Sequence, residues 1–199
     1  MNIVVTGAYG FIGKNLCLRL SEQSDVMVVP FGRQDSLESL LAALDNADAL
    51  IHLAGENRPS EPSEFAAVNA VLTRVICEHL IEGGNKLPVL LTSSAQAELD
   101  NPYGVSKRAA EQSVEKLSAD NNNPVAIYRL PGVFGKWCLP NYNSVVATFC
   151  HQLANDLPIQ ISDPERTVNL IYIDDVIDSF VSWLRESLPG CYRPTVKPE

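Results

Sequence analysis

The sequence predicts an α/β protein: a doubly wound parallel sheet with helices on both faces. Three observations predict it. Short β-branched or apolar runs alternate along the chain with helix-length amphipathic stretches, the order that builds βαβ units. The strand candidates are nearly continuous in apolar residues rather than alternating, as in Val26-Met27-Val28-Val29 and Leu87-Pro88-Val89-Leu90-Leu91. Strands of that kind are buried on both sides. Finally, the first strand runs into Gly7-x-x-Gly10-x-x-Gly13 at the point where the first helix opens.

Taken in order, strands are expected near 2–6, 26–31, 48–53, 87–93 and 124–130, and helices near 11–23, 36–44, 62–83 and 102–120. After residue 130 the pattern loosens into the Pro, Gly and Asn-rich stretch from Pro131 to Asn143. A helix is expected near 144–155, a short strand around Val168 to Ile171, and a helix from about Asp174 to Glu186. The tail from Pro189 to Glu199 is turn-rich and is expected to add no helix or strand. A chain of 199 residues is read as one domain, 1–199, in which 131–199 is a small C-terminal substrate-binding portion grafted onto the sheet. Without a terminal element to finish a layer, it is expected to be a truncated piece of something longer.

Composition narrows the function classes. With 46% apolar and 20% charged residues there is material for a full core. The net charge of −9, from scattered acidic residues, argues against nucleic acid as a partner, because phosphate attraction wants a basic face. Cys17, Cys77, Cys138, Cys150 and Cys191 are odd in number, irregular in spacing and without a C-x-x-C pair, so reduced thiols in a cytoplasmic protein are expected. No metal is expected; Cys150 and His151 are adjacent and point in different directions on a helix. No apolar run is long enough to span a membrane, and no signal peptide is visible.

The glycine spacing places a tight turn and close backbone approach at a helix N-terminus, where amide groups and the helix dipole meet a pyrophosphate. Gly7, Gly10 and Gly13 therefore predict a Rossmann-like dinucleotide site, although the spacing differs from G-x-G-x-x-G. After the second strand comes Gly32-Arg33-Gln34-Asp35. An acidic residue there takes the ribose hydroxyls of NAD, whereas an arginine receives the extra phosphate of NADP. Arg33 arrives first, and its guanidinium binds phosphate through two hydrogen bonds, so NADP(H) is preferred; NAD(H), with Asp35 on the ribose, is the alternative.

Tyr103 stands four residues before Lys107, so both share one face of a helix. A nearby positive charge favours the phenolate, which makes Tyr103 a candidate general acid or base with its pKa lowered by Lys107.

These residues sit among others that together resemble the extended short-chain dehydrogenase/reductases, the NAD(P)-dependent epimerase/dehydratase group that works on nucleotide sugars. The stretches that carry the resemblance are Thr6 to Gly13, Asp48 to Gly55, Val68-Asn69, Leu91 to Ser94, Tyr103 to Lys107, Arg129 to Gly135 and Tyr172 to Val176. Glu56-Asn57-Arg58-Pro59 and Phe134 to Ser144 are similar to the capsular-polysaccharide reductases that join such a domain to a C-terminal cupin; no cupin segment is present in this sequence. The resemblance implies that Tyr103 is the acid/base residue and that Lys107 holds the nicotinamide ribose. Ser94 would be the hydroxyl that orients the substrate oxygen, with Ser93 and Thr92 close behind. It further implies that Tyr9, Phe11 and Ile12 in the glycine turn, then Leu53, Ala54 and Gly55, and finally Thr92 and Pro131 line the cofactor groove. Asn69 is expected to brace backbone. Arg166 is expected to clasp the diphosphate of the sugar nucleotide, with Lys136 and Asn143, and Asn57 and Arg58, as further substrate contacts.

The sugar 4,6-dehydratases of this group carry an Asp-Glu pair after the active-site hydroxyl, and this chain has Ser94-Ala95-Gln96 instead. The expectation is therefore an NADPH-dependent oxidoreductase that reduces a UDP-linked 4-keto-6-deoxy sugar in capsule or O-antigen biosynthesis. The alternatives are an NAD-dependent nucleotide-sugar 4-epimerase and a dinucleotide-binding module without turnover. Family analogy implies a homodimer formed through the helices near 62–83 and 102–120.

Overall fold

The computed structural model describes residues 1–58, 61, 65–161, 163–187 and 190–192. The start of the helix expected near 62–83, Pro59 of the Glu56–Pro59 motif and the tail from residue 193 onwards lie outside the described residues.

Six strands form one parallel sheet in the order β2-β1-β3-β4-β5-β8. They are β1 (Asn2–Thr6), β2 (Met27–Phe31), β3 (Ala49–His52), β4 (Val89–Ser94), β5 (Pro124–Leu130) and β8 (Gly190–Tyr192). The chain turns back on itself between β1 and β3. In such sheets the crevice beyond the carboxyl ends of the strands at this switch point takes the ligand. A separate parallel pair joins β6 (Gly132–Phe134) to β7 (Leu170–Tyr172).

The near-continuous apolar strands have two covered faces, as their sequence requires. Ile3, Val5, Ala49, Ile51, Leu90, Ala126 and Tyr128 point to one face, where α1 (Phe11–Ser21) and α6 (Ile173–Glu186) bring Leu16, Leu20, Phe180 and Trp183. Their neighbours Val4, Leu50, Val89, Leu91, Val125 and Ile127 point to the other, against Leu40, Leu44, Ile76, Leu80, Val114 and Leu117. These come from α2 (Leu37–Leu44), α3 (Leu72–Glu82) and α4 (Pro102–Asn121). The period of two along each strand divides its residues between the two cores. A π-helical turn, Ala66–Val71, leads straight into α3.

The tail is a correction to the expectation that it adds no element. Gly190–Tyr192 pairs in parallel with Pro124–Ala126 and extends the sheet beyond β5. Three residues beside Gly190 are too few for any periodic signal. The short strand expected around Val168 to Ile171 is Leu170–Tyr172. Among the described residues from 131 onwards, α6 and β8 belong to the sheet and its cover, β6 and β7 form their separate pair, and the run from 135 to 169 between them carries α5 (Val145–Ala154).

Beneath the crevice a buried polar chain ties β1 to β3 and α3. Thr6 Oγ1 and His52 Nδ1 share a hydrogen bond of 2.6 Å, and His52 Nε2 meets Thr73 Oγ1 at 3.0 Å. The N–H of Ala54 donates to Thr6 Oγ1. Burial, with the Lys107 charge adding to it, pulls the His52 pKa down to about 3. His52 is thereby a neutral brace that fixes the strand ends on which the site is built.

Candidate active site

One groove runs along the carboxyl ends of the strands in three connecting compartments. The first, about 530 Å³, lies between the ends of β1 and β2 and includes Gly7, Gly10, Phe31, Arg33 and Asp35. The second, about 430 Å³, faces the N-terminus of α1. The third, about 560 Å³, holds Ser94, Tyr103 and Lys107. Leu53 and Gly55 border all three, Ala54 the first.

The residues of the glycine turn fit a dinucleotide. Helix α1 starts at Gly10 with no side-chain cap, which leaves its first-turn amides turned to the second compartment. At Gly13 a Cβ would stand 2.2 Å from Gly7 O, so the turn closes this tightly only without a side chain there. Tyr9, Phe11 and Ile12 line the groove beside it, and Thr92 and Pro131 line the third compartment. Asp35 Oδ2 accepts the N–H of Gly32, which ties it into the turn after β2. Arg33 reaches instead to Glu56, Nη2 to Oε2 at 2.5 Å. Glu56 lies in the stretch Glu56-Asn57-Arg58, where no local pattern marks it as the partner of Arg33. Phe31, Ser36, Ala67 and Val68 also border the first compartment and were not anticipated; only the register of β2 and the π-helical turn reveals them.

Tyr103 and Lys107 come together because α4 begins just before them. Asn101 caps the helix, its Oδ1 accepting the N–H of Gly104, and Pro102 occupies the first turn. The Tyr103 ring packs against Phe65, with ring centroids 5.6 Å apart. Lys107 is buried, donates from Nζ to Thr92 O at 3.1 Å, and lies 6.0 Å from the centre of the Tyr103 ring. Gly55 permits this approach: a Cβ there would be 3.0 Å from both Lys107 Nζ and Asn69 Oδ1. Asn69 also accepts from Glu56 N and donates to Glu56 O and Ser106 Oγ, so it joins the turn after β3 to α4.

The charge states differ from expectation. Burial pushes the Tyr103 phenol above its ordinary pKa, and the hydrogen bond with Ser94 offsets only part of that. Lys107 was expected to lower it, but its ammonium is committed to a backbone carbonyl and not to the phenol oxygen. Burial brings the Lys107 pKa itself down to about 8, against the opposing charge of Glu111. All three hydroxyl candidates line the third compartment, and Ser94 Oγ also accepts the N–H of Gln96. Ser93 Oγ donates to the buried Glu111, which Arg129 grips through Nε and Nη2 at 2.9 and 2.7 Å. Thr92 Oγ1 donates to His52 O.

The expected substrate contacts divide. Asn57 and Asn143 both line the second and third compartments. Arg58 does not line the groove; it lies over the Tyr142 ring at 5.1 Å and donates to Asn141 O, while Tyr142 Oη donates to Asn57 Oδ1. Lys136 is a correction. It sits in a separate cleft with Asn15 and Ile177 and pairs with Asp174 at 3.1 Å. Gly135, just before it, takes φ +138°, and the Lys136 side chain reaches the first turn of α6. Arg166 is exposed, follows a turn closed by its own N–H on Asp163 O, and borders none of the three compartments.

Comparison with known proteins agrees with this geometry. The chain is 47% identical over 199 residues to the UDP-2-acetamido-2,6-beta-L-arabino-hexul-4-ose reductase of Pseudomonas aeruginosa, covering all of this chain and 54% of that protein. The solved structure of the capsular polysaccharide assembling protein CapF from Staphylococcus aureus superposes with a TM-score of 0.84 at 41% identity, over 100% of this chain and 55% of that one. The chain thus spans about half the length of these relatives. The UDP-glucuronic acid 4-epimerase of Bacillus cereus, solved with UDP-glucuronic acid and NAD, shares the fold with a TM-score of 0.86 at 22% identity, over 99% of this chain and 77% of that one. With residues 3–190 matching its sequence pattern, the chain belongs to the NAD dependent epimerase/dehydratase family.

Proposed function

We propose that this chain is the reductase part of an enzyme that uses NADPH to reduce a UDP-linked 4-keto-6-deoxy sugar, in the building of a capsule or O-antigen polysaccharide. The observation that carries the reading is the meeting of Ser94, Tyr103 and Lys107 in a compartment continuous with the glycine turn. The reductase name of the Pseudomonas relative supports the same chemistry.

When bound, the reduced nicotinamide supplies hydride to the carbonyl carbon. Tyr103 supplies the proton to the carbonyl oxygen, and the burial that raises its pKa keeps the phenol protonated, which suits the reductive direction. Ser94 hydrogen-bonds that oxygen and holds it towards Tyr103. Lys107, anchored on Thr92 O, places a positive charge behind the phenol and steadies the phenolate left after transfer. Elimination of water finds no support: the acid nearest after Ser94 is Glu98, whose carboxylate is paired with Arg129.

NADPH selection rests on Arg33 at the end of β2. Cytoplasmic location fits Cys17, Cys77, Cys138 and Cys150, whose thiols are unbridged. No helix among the described residues is long and apolar enough to cross a membrane. A homodimer through α3 and α4 is the assembly this reading carries.

The test is direct. With NADPH and a UDP-4-keto-6-deoxy sugar, nicotinamide absorbance should fall with one reduced sugar formed per NADPH. Inversion at C4 of a UDP-sugar carrying a C4 hydroxyl, without NADPH consumption, would replace the reductase by an epimerase, and tight cofactor binding without turnover would reduce the chain to a binding module. The rate should fall as pH rises through about 8, where Lys107 loses its charge.

A further inference from the structure

Glu56 is a buried acid in a groove that has to receive an anionic dinucleotide. Its residue is 7% exposed, and it borders both the second and the third compartments. Its backbone is pinned at both ends by the Asn69 side chain, at 2.8 and 3.0 Å. Its Oε1 accepts the N–H groups of Asn57 and Arg58 at 3.0 and 2.9 Å. Burial alone would push its pKa up, but those backbone donors and the Arg33 guanidinium outweigh it and hold the carboxyl below its ordinary range. Oε2 remains, and Arg33 takes it.

The two partners are unequal. Glu56 is fixed by four hydrogen bonds to backbone and Asn69, whereas the Arg33 side chain is 82% exposed and touches Glu56 with one nitrogen. Arg33 borders the first and second compartments, so its guanidinium crosses from the end of β2 to the end of β3, over the crevice. The cation is the member free to move.

We propose that Glu56 sets cofactor discrimination: it holds Arg33 while no dinucleotide is bound and competes with a 2′-phosphate for it. The inference rests on the reading that Arg33 receives that phosphate. A dinucleotide with a 2′-phosphate draws Arg33 away and leaves Glu56 Oε2 without its cation, beside the added negative charge of the diphosphate. One without the 2′-phosphate leaves the pair in place. Glu56 therefore restrains the preference that Arg33 creates, and removing its charge strengthens that preference.

Glu56→Gln keeps an amide oxygen for the Asn57 and Arg58 N–H groups and removes the charge. For an ion pair whose cation is exposed, NADPH should bind about two- to fivefold more tightly by fluorescence titration at low salt, with a smaller change for NADH. Adenosine 2′,5′-bisphosphate should show the same gain and AMP should not. The gain should shrink at about 0.5 M salt, where the pair is screened. Equal changes for both dinucleotides, or weaker NADPH binding, would overturn the proposal. Glu56→Asp, which withdraws the carboxylate by one methylene, should give a gain of the same sign and serves if the glutamine variant melts early. In an Arg33→Gln background the Glu56→Gln gain should vanish; if it persists, the carboxylate acts on the diphosphate and not through Arg33. Arg33→Gln alone tests the underlying reading separately, because an unchanged NADPH preference there removes the 2′-phosphate assignment whatever Glu56 does.

Discussion

The sheet with its covering helices and the run from 135 to 169 are built on different terms. Every strand from β1 to β5 has buried residues, or for β2 half-buried ones, and α1 to α4 and α6 each bury a face. Helix α5 buries none of its ten residues although seven of them, in Val145-Val146-Ala147-Thr148-Phe149-Cys150-His151-Gln152-Leu153-Ala154, are apolar. Leu139, Leu153, Leu157 and Ile161 stand exposed in the same run. Trp137, Asn141 and Asp156 take positive φ there, a conformation that side chains rarely adopt. The sheet half is therefore determined by its own core, and it carries the glycine turn and the Ser94-Tyr103-Lys107 group. The excursion contributes walls to the groove, through Asn143 and Tyr142, without a core of its own.

That contrast can be broken most sharply inside the sheet half. Tyr103→Phe should lower kcat/KM by about 10²- to 10⁴-fold, the usual worth of a positioned acid, while NADPH binding changes by less than about twofold. Retained reduction would remove the acid assignment. Gly13→Val should destabilise the fold by about 3 kcal/mol and abolish dinucleotide binding, since its Cβ would press on Gly7 O at 2.2 Å. A melting temperature unchanged from the parent would show that the turn can open.

His52 contributes to the acid sensitivity of the sheet half. Its pKa is about 3 in the folded chain against 6.5 when exposed, so below pH 6.5 the unfolded chain takes up a proton that the folded chain refuses. Stability from this group is complete above pH 6.5 and is lost as pH falls towards 3, by about 2 to 3 kcal/mol at pH 4.5. Denaturant midpoints across that window should fall accordingly, and a His52→Leu variant should show a flatter profile. An equal slope in both would assign the acid sensitivity to other groups. The smallest effect belongs to the excursion: Leu153→Gln should change stability by no more than about 0.5 kcal/mol, as for an ordinary surface position. A larger loss would mean that its side chain is covered in solution.

Legibility in the sequence follows the same division. Val4, Leu50 and Leu91 announced buried strands because a parallel sheet with two covered faces leaves no place for polar residues, and Gly7, Gly10 and Gly13 announced the groove because backbone approach leaves a mark in residue type. Tyr103 and Lys107 were legible because helical spacing fixes their common face. Lys136 was not, because a side chain after a positive-φ glycine points where local geometry sends it and no periodicity records it. Glu56 was hidden for a related reason: its partner, Arg33, is 23 residues earlier, and only the pairing of strand ends brings the two together. The phenol pKa of Tyr103 went the other way because burial, which a spacing rule does not contain, exceeded the influence of the neighbouring charge.

The ribbon formed by β6 and β7 joins Gly132–Phe134 to Leu170–Tyr172, so the excursion leaves and re-enters the molecule at adjacent points. Closing a loop between two anchored ends depends only weakly on how many residues it holds. The intervening segment can lengthen, shorten or be exchanged for another during divergence while the Ser94-Tyr103-Lys107 group keeps its place, which makes this wall of the groove a detachable cassette.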